Sequence, residues 1–586
     1  MHWRTRSLFL VSLTTDPRTA DISSESPNAV NLMQMQETEV LIVGSGPVGL
    51  SLAIEMGQRG IRCLVIEQNE RVGLNPRAKT TNVRSREHLR RWGIADNLRR
   101  ASSLPADYPS NIVFATRLGG YQITKIENAL NCSVAKNDLY SEPAQWVPQY
   151  ILEEVLRAYA VTLPTVEIRF NCRFVNATQE DDHVVTGVRD IASGEDFQVR
   201  SEYVVGADGA RSLVREAIGA TMSGARGVAP NYNVQFRAPG LAKLHLLGPA
   251  IQYWIINDDG LSLIGPVEDQ NLWYFIATRI EGELEDQDPE KLIRRATKLD
   301  FEMEILDASP WFANSMIADK YSKGRLYLAG DACHIHPPFG GYGMNMGISD
   351  AVDLGWKMAA ILRGWADPAL LNSYEPERRP IHKWMIEEAG NNYAALGDYL
   401  PLPGLEEPGP VGDATRREAG EVIYPIKLRE FKTLGAVLGY RYTNSPVIVS
   451  DGTEPPPLTT SVYRPSACPG CLAPHIWLTD GSSLFDHFGS GFTLLATQAS
   501  VVENLELALQ AAKQLGIPLK IVQPKDPRLP RRYQAHFALI RPDQHVAWRG
   551  DTLPEDFTSV LEHVTGRSRV ARHVDSSKVE DGSYIS

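Results

Sequence analysis

The chain has 586 residues, a formal net charge of −12, 43% hydrophobic residues and 22% charged residues. This length exceeds what one hydrophobic core supports, so we expect about two to four globular domains. The negative charge argues against a nucleic-acid partner, since phosphates are bound by clustered Lys and Arg. No stretch reaches the roughly 18 apolar residues that predict a membrane span, so no membrane association is expected.

The chain ends and the six cysteines give few functional signals. Residues 1–36 are interpreted as a mobile N-terminal extension, since their short apolar run lacks a clear signal-peptide cleavage site. Six cysteines in so long a chain predict a reducing compartment, hence the cytoplasm. Cys468 and Cys471 have the spacing of a redox pair, but they precede a strand predicted at 475–478, whereas such a pair follows a strand. We interpret the spacing as coincidence in a turn.

The first chemical signal is Gly44-Ser45-Gly46-Pro47-Val48-Gly49, between a short apolar strand and a helix. Gly44 permits a tight turn, Gly46 lets a pyrophosphate approach the backbone, and Gly49 lets the helix pack on the strand. The next predicted strand ends in Glu67, at the roughly 20-residue distance where a carboxylate accepts hydrogen bonds from a ribose. The alternative is that the three glycines occur at this spacing by chance. The strand before them, the helix after them and the position of Glu67 together predict a dinucleotide site.

A second signal occupies residues 330–345. Asp331 follows a buried strand predicted at 325–329, and a loop rich in proline and glycine leads into a helix predicted over 346–362. Glycines in such a loop let backbone lie against a flat group, which a Cβ would prevent. The loop therefore predicts a site for something flat and polar.

A third segment contains Asp208-Gly209 after a strand predicted at 203–206. With these three segments in this order, residues 37 to about 565 resemble the flavoprotein aromatic hydroxylases, single-component FAD monooxygenases of the p-hydroxybenzoate and phenol hydroxylase type. The resemblance implies FAD as cofactor, NADPH or NADH as co-substrate, molecular oxygen, and a small aromatic substrate that is hydroxylated through a flavin C4a-hydroperoxide.

The resemblance also implies the roles of particular residues, and residues 330–345 are from here on called the flavin loop. Arg77 and Gln149 would contact the ribityl and pyrophosphate region, Asp331 would hydrogen-bond the ribityl chain, and Pro338 would lie where the hydroperoxide forms. The start of the helix after the flavin loop would stabilise the anionic reduced flavin through its dipole. The expected FAD-binding residues are Gly44, Gly46, Gly49, Glu67, Arg77, Gln149, Asp208, Asp331, Gly343, Met344 and Asn345.

The chain has one complete G-x-G-x-x-G motif, so a second nucleotide-binding domain is not expected. This disfavours the disulfide reductases, in which FAD and NAD each have a domain. In the resembled family the nicotinamide visits a groove transiently, and Asp208 and Arg215 are its candidate contacts.

The predicted fold class is mixed α/β, with a Rossmann-like FAD-binding domain interleaved with a β-sheet substrate domain, plus a C-terminal thioredoxin-like domain without a redox dithiol at the expected place. The expected boundaries are 1–36 for the extension, 37–228 for the first part of the FAD-binding domain, 229–308 for the substrate sheet, 309–400 for the second part of the FAD-binding domain with its helices, 401–455 for a linker, 456–570 for the thioredoxin-like domain and 571–586 for a C-terminal tail.

The substrate is expected to be a phenolic or polyketide-derived aromatic, handled in secondary metabolism or in phenol degradation. A phenol reacts faster as its phenolate, and Tyr253 and His245 are candidate bases; a buried His satisfied by backbone is the alternative. Aromatic residues in the predicted strands suit a flat guest and equally a plain core: Tyr232, Phe236, Tyr253, Trp254, Trp273, Tyr274 and Phe275. His334 and His336 lack carboxylate or thiolate partners at ligand spacing, so no metal is expected.

Two other functions stay open at this point. A same-fold FAD enzyme could have another outcome, as an epoxidase, a Baeyer–Villiger-type oxygenase or an isoprenoid reductase, and a reductase would incorporate no oxygen. A non-catalytic module that kept only the dinucleotide fold would have a degraded flavin loop, whereas Gly330, Asp331 and the proline-glycine stretch are complete. A monomer and a homodimer are both open.

Overall fold

The computed structural model describes residues 35–70, 78–268, 271–278, 287–395, 403–498 and 505–567. Residues 1–34, Arg77 and the predicted tail lie outside the described residues. The strands are β1 (Met35–Glu37), β2 (Val40–Val43), β3 (Cys63–Ile66), β4 (Thr80–Thr81), β5 (Ile112–Ala115), β6 (Gln122–Ile126), β7 (Gln145–Trp146), β8 (Val166–Arg169), β9 (Cys172–Gln179), β10 (Val184–Asp190), β11 (Asp196–Ser201), β12 (Tyr203–Gly206), β13 (Met222–Arg237), β14 (Gln252–Asn257), β15 (Gly260–Pro266), β16 (Leu272–Thr278), β17 (Glu304–Ala318), β18 (Ser322–Lys323), β19 (Leu326–Leu328), β20 (His334–Ile335), β21 (Phe492–Ala496), β22 (Leu519–Val522), β23 (Phe537–Ile540) and β24 (Val546–Gly550). The helices are α1 (Pro47–Gly57), α2 (Val83–Arg91), α3 (Ala95–Ala101), α4 (Gln149–Ala160), α5 (Leu213–Ala217), α6 (Pro289–Thr297), α7 (Gly343–Leu362), α8 (Tyr374–Ala394), α9 (Gly409–Phe431), α10 (Leu434–Gly439), α11 (Leu505–Leu515), α12 (Leu529–Tyr533) and α13 (Phe557–Val564).

A six-stranded sheet carries the dinucleotide motif. Its order is β18-β19-β12-β2-β3-β8, and all neighbours are parallel except β18 and β19. Strands β2, β3, β12 and β19 are apolar and buried along their whole length, as expected where helices cover both faces of a parallel sheet. The carboxyl ends of β2, β12 and β19 therefore lead directly into the three segments singled out in the sequence.

An eight-stranded sheet forms the predicted substrate domain, in the order β20-β17-β13-β16-β15-β14-β5-β6. The predicted boundaries at 228 and 308 are wrong in detail, because they fall inside β13 and β17, which pair as one long antiparallel ribbon. Residues assigned to the first part of the FAD-binding domain also contribute β5 and β6 to this sheet. The two domains are thus joined by continuous strands rather than by loops.

The C-terminal domain has the sheet order β22-β21-β23-β24, with β21 and β22 parallel and the other pairs antiparallel. Helices α11 and α13 pack on one side of it, and this arrangement confirms the predicted thioredoxin-like domain. The domain packs on the FAD-binding domain through Trp356 of α7. Arg541 joins them by donating to Glu377 at 2.6 Å and to Asp353 at 2.9 Å.

Three predictions of local structure are wrong. Residues 35 and 36 are not part of an extension but belong to β1, which pairs with β11. The predicted linker 401–455 contains helices α9 and α10. The strand predicted at 475–478 is reduced to one isolated bridge between Trp477 and Ser483. The turn predicted at Cys468 is confirmed, because the Cys471 N–H donates to the Cys468 carbonyl at 3.0 Å.

Candidate active site

The turn after β2 leaves open space beside Gly46. Gly44 has a φ of +106°, and a Cβ there would lie 2.4 Å from the Ala207 carbonyl oxygen. A Cβ on Gly49 would lie 1.9 Å from the Gly44 carbonyl oxygen, so these two glycines are required by close packing. Nothing lies within 4 Å of a Cβ built on Gly46, as expected where a phosphate approaches the backbone.

Glu67 closes one side of this turn. Its Oε2 accepts a hydrogen bond from the Ser45 N–H at 3.0 Å, and its Oε1 accepts one from the Asn69 N–H at 3.0 Å. The carboxylate thus stands at the carboxyl end of β3, directly beside the glycine turn, where the ribose was expected.

The flavin loop lies against this turn, although the two are distant in sequence. A Cβ on Gly330 would lie 2.8 Å from the Val48 side chain, and a Cβ on Gly347 would lie 3.0 Å from the Gly330 Cα. Gly330 has a φ of +64°, and its N–H donates to Asp350 Oδ2 at 3.1 Å. The structure therefore brings the two predicted halves of the site together through α1 and α7.

Asn345 fixes the start of α7 with its side chain. Its Oδ1 accepts hydrogen bonds from the Asn82 N–H at 2.9 Å and from the Ser85 hydroxyl at 2.8 Å. Its Nδ2 donates to the carbonyls of Thr80 at 3.0 Å and Gly341 at 2.8 Å. The side chain is fully occupied, so only the backbone of Asn345 is free to act on a ligand.

The first three N–H groups of α7, on Gly343, Met344 and Asn345, have no hydrogen-bond partner within the described part of the chain. The Met346 N–H is the first to be bonded, to the Tyr342 carbonyl at 2.8 Å. Such groups carry a partial positive charge and favour an anionic ligand. The predicted interaction with a flavin therefore has free donors at the predicted position.

Asp208 and Arg215 tie the third segment to the flavin loop. Asp208 Oδ2 accepts hydrogen bonds from the N–H groups of Leu213 at 2.8 Å and Val214 at 3.2 Å. Its Oδ1 is buried without a partner among the described residues, and burial raises the pKa of the carboxyl group. Arg215 donates to the Ala332 carbonyl at 3.1 Å. Asp208 Oδ1 lies beside the backbone of Gly206, where a Cβ would lie 3.0 Å from it.

The remaining predicted residues are Gln149, Asp331 and Pro338. Gln149 begins α4; its Oε1 accepts a hydrogen bond from the Ala78 N–H at 3.3 Å, and its Nε2 donates to Glu153 at 2.7 Å. Asp331 is half-buried at the end of β19. Pro338 is exposed, and its carbonyl accepts a hydrogen bond from the Gly341 N–H at 3.2 Å in a turn.

His334 does have a carboxylate and a thiol close to it, contrary to the expectation from the sequence. Asp350, on α7, brings a carboxylate oxygen to 2.7 Å from His334 Nε2, and Cys333 completes a group whose ligand atoms lie within 4.8 Å of one another. Sequence spacing did not reveal this group. Asp350 is, however, held by Arg378 at 2.8 Å and by His382 at 2.9 Å, and burial raises the pKa of the Cys333 thiol well above its usual range. The expectation of no metal stays a prediction.

The eight-stranded sheet presents two faces with different neighbours. We call near face the side whose side chains cluster with Phe339 of the flavin loop; it includes Trp254 and Tyr274, with Trp146 of β7 packed against them. We call far face the opposite side, where Tyr253 and Phe275 cluster with residues of α6. Alternation along β14 and β16 separates neighbouring aromatic residues onto the two faces.

Comparison with known proteins identifies the family. Residues 37–389 match the family model described as FAD binding domain, and residues 466–568 match the one described as aromatic-ring hydroxylase, C-terminal. The chain belongs to the FAD-dependent aromatic-ring hydroxylases. An FAD-dependent monooxygenase of Emericella nidulans is 30% identical over 92% of this chain and 92% of its own length.

Two further similarities support this assignment to the FAD-dependent hydroxylases. Aklavinone 12-hydroxylase of Streptomyces purpurascens is 32% identical, over 91% of this chain and 99% of its own. The solved structure of chromopyrrolic acid-soaked RebC with bound 7-carboxy-K252c has a TM-score of 0.84 and 35% identity, covering 91% of this chain and 100% of that one. The chain is thus an FAD-dependent monooxygenase that uses NADPH or NADH as electron donor, and the reading as a non-catalytic module is excluded.

The site of this hydroxylase fits FAD. The open space at Gly46 suits a pyrophosphate, Glu67 stands where a ribose is bound, and the N–H groups at the start of α7 suit an electron-rich ring. Among the helices that the described residues form, none is both long and apolar enough to cross a membrane.

The two candidate bases are not near the flavin loop in this hydroxylase. Tyr253 lies on the far face and donates its hydroxyl to the Gly248 carbonyl at 2.7 Å, and the His245 ring packs against it at 5.0 Å. This placement does not favour either residue as the phenol base, and that role stays a prediction. The sequence could not assign Tyr253 or Trp254 to a face of the sheet, because both are aromatic and only the strand register shows that Trp254 lies on the near face.

Sequence reasoning also missed Lys79, which precedes β4. Its ammonium lies 4.3 Å from the centroid of the Tyr274 ring on the near face. A lysine two residues after the predicted FAD contact Arg77 was the available signal. It gave no indication that the side chain turns toward the substrate sheet.

Proposed function

We propose that this FAD-dependent monooxygenase hydroxylates a phenolic or polyketide-derived aromatic ring, with NADPH or NADH and molecular oxygen as co-substrates. The proposal depends above all on Phe339: this flavin-loop side chain joins the near-face cluster that contains Trp146 and Tyr274. A flat apolar guest between this aromatic wall and the flavin loop would lie directly beside the cofactor. The names of the relatives, including aklavinone hydroxylase, support a fused aromatic substrate and a role in secondary metabolism.

FAD, when bound, supplies the redox chemistry and the activation of dioxygen. The protein positions the substrate beside the flavin and polarises the flavin ring. The N–H groups of Gly343, Met344 and Asn345 would stabilise negative charge on the flavin ring. The glycines of the flavin loop, with φ of +90° at Gly340 and +66° at Gly341, let its backbone pass close to a flat ring. Pro338 would border the reacting edge, and Asp331 would hold the ribityl chain.

The electron donor would bind transiently in the groove beside the third segment. Asp208 has a buried oxygen without a partner among the described residues, and Arg215, seven residues further along the chain, donates to the Ala332 carbonyl of the flavin loop. Both are our candidates for contacts with the nicotinamide cofactor.

We further propose a cytoplasmic location, since all six cysteines are buried and free of disulfides, as is usual in a reducing compartment.

The test is a screen of phenols and hydroxylated polycyclic aromatics against the FAD-loaded protein. We expect at least one compound to accelerate NADPH or NADH consumption and to gain one oxygen atom from ¹⁸O₂, with little release of hydrogen peroxide. A product that gains hydrogen but no labelled oxygen would instead identify a reductase. Asp331→Ala should lose FAD; full FAD occupancy in this variant would contradict the assignment of Asp331.

A further inference from the structure

Lys79 is held between the flavin loop and the substrate sheet. Its carbonyl accepts a hydrogen bond from the Val147 N–H at 2.8 Å, just after β7. The following carbonyl, of Thr80, accepts a hydrogen bond from Asn345 Nδ2 at 3.0 Å, at the start of α7. The backbone of Lys79 is thus fixed from both sides, and the position of its side chain is set by the same residues that build the flavin site.

The side chain of Lys79 ends over the aromatic wall of the near face. Its Nζ lies 4.3 Å from the Tyr274 ring centroid, and the Trp146 ring centroid lies 6.4 Å from that of Tyr274. Trp146 donates its indole N–H to the Pro266 carbonyl at 3.3 Å, and Tyr274 is fully enclosed, so both rings are held in place. The attraction of a cation to a tyrosine ring does not replace the hydration that the ammonium loses on burial.

The ammonium of Lys79 forms no hydrogen bond and no ion pair with any residue in the described ranges. Lys427 provides the contrast on the same face: its Nζ lies 4.1 Å from the Trp254 ring centroid, but Glu430 neutralises it at 2.7 Å. Burial lowers the pKa of Lys79 to about 8, so the side chain is still mostly protonated at neutral pH. A half-buried ammonium without a partner among the described residues favours an anionic oxygen as partner.

We propose that Lys79 binds an anionic oxygen of the aromatic substrate, either a ring carboxylate or a phenolate, and that the substrates of this enzyme are therefore acidic aromatics. This inference rests on the proposed function, because it places the substrate between Phe339 and the near face. A phenol bound there as phenolate releases its proton to solvent, and the ammonium stays protonated. Lys79 would thus take the role that Tyr253 and His245 were expected to fill, by binding the anion rather than by removing the proton.

The test uses the FAD-loaded protein and three naphthalene probes of nearly equal shape at pH 7. These are 2-naphthoate (a carboxylate), 2-naphthol (a phenol) and 2-methoxynaphthalene (a neutral ether). Dissociation constants come from changes in flavin absorption, and the absorption band of 2-naphtholate reports directly whether the phenol binds as its anion. The variants are Lys79→Met, Lys79→Arg, which keeps the charge, and Lys125→Met, a control on the edge strand β6 where the lysine is paired with Glu127.

We expect the wild type to bind 2-naphthoate, 2-naphthol or both more tightly than the ether. Lys79→Met should weaken the anionic complexes by about 10- to 100-fold and abolish any naphtholate band, while the ether binds as before, because a charge-assisted hydrogen bond is lost. Lys79→Arg should restore part of the preference, and Lys125→Met should change nothing. A preference for 2-naphthoate alone would show that a carboxylate is bound, and a naphtholate absorption band would show that a phenolate is bound. Either result supports the proposal.

Two results would overturn the role of Lys79: no preference for either acidic probe over the ether in the wild type, or a preference that survives in Lys79→Met. FAD occupancy and circular dichroism of each variant show whether it is folded and loaded. The proposed function fails separately, if no phenol accelerates NADPH or NADH consumption by the wild type, whatever the probes show.

Discussion

The two faces of the eight-stranded sheet are built from the same strands, yet they serve different ends. On the far face, Tyr253, Trp273 and Phe275 pack against α6 and form an ordinary core. On the near face, Trp254 and Tyr274 meet the flavin loop, and the ammonium of Lys79 lies among the rings. The comparison teaches that aromatic content alone does not locate a substrate site, whereas a charged group beside an aromatic ring with no counter-ion among the described residues indicates one.

The largest loss of stability is expected from the far face. Phe275→Ala should lower the free energy of unfolding by about 3–5 kcal/mol, because it removes a fully buried ring and leaves a cavity. Urea denaturation measures this loss of unfolding free energy. The control is Phe312→Ala, at a half-exposed ring on β17, which should lower the free energy of unfolding much less. A loss of substrate affinity without a loss of stability would contradict the division between the faces.

A smaller effect should appear at low pH, from the buried cluster behind the flavin loop. Burial lowers the pKa of His382 to about 3 from an ordinary 6.5, because loss of water outweighs the opposite effect of Asp350, whose carboxylate lies 2.9 Å from His382 Nε2. The unfolded chain takes up this proton first, so stability falls as the pH drops below about 6.5. The proton uptake of His382 on unfolding should lower the free energy of unfolding by about 2 kcal/mol between pH 7 and pH 5.

His382→Gln should therefore reduce the difference in melting temperature between pH 7 and pH 5. His183→Gln, at a surface histidine, is the control. An unchanged pH dependence in His382→Gln would show that His382 does not titrate as proposed.

A third pair of variants compares the faces at one hydroxyl each. Tyr253→Phe should cost about 1 kcal/mol, since the hydrogen bond to the Gly248 carbonyl is lost, and should leave the stimulation of NADPH consumption by an aromatic compound unchanged. Tyr274→Phe should cost less stability but should change the affinity for aromatic compounds. If Tyr253→Phe abolished hydroxylation, the assignment of Tyr253 to the far face would be refuted.

The parts of the site that depend on local backbone were predictable from the sequence. Gly44, Gly46 and Glu67 follow from a turn whose geometry needs those residue types, and the helix after the flavin loop was placed within three residues of its start. The sequence predicts that the glycine turn and the flavin loop form one site. It does not predict the contact between Gly330 and Val48, because that packing depends on residues far apart in the chain.

Helix α9 shows why composition misled the domain prediction. Its glycines and prolines are typical of a linker, but two of the glycines serve close packing: a Cβ on Gly412 would lie 1.8 Å from the Glu407 carbonyl oxygen, and one on Gly420 would lie 3.0 Å from the Ile123 carbonyl oxygen on β6. Small residues thus let this helix approach the sheet. Similarly, the Arg541 bonds to Glu377 and Asp353 join positions whose proximity no local pattern reveals.

The most direct test of the central claim, that FAD binds between the glycine turn and the flavin loop, is the flavin content of Gly46→Val. Nothing lies within 4 Å of a Cβ at Gly46, and its φ of −71° suits any residue, so the chain should fold with nearly unchanged stability. Gly390→Val, equally open on α8, is the matched control. We expect the wild type and the control to retain one FAD per chain after gel filtration with excess FAD, and a folded but colourless Gly46→Val. A Gly46→Val protein with full FAD occupancy would contradict the account.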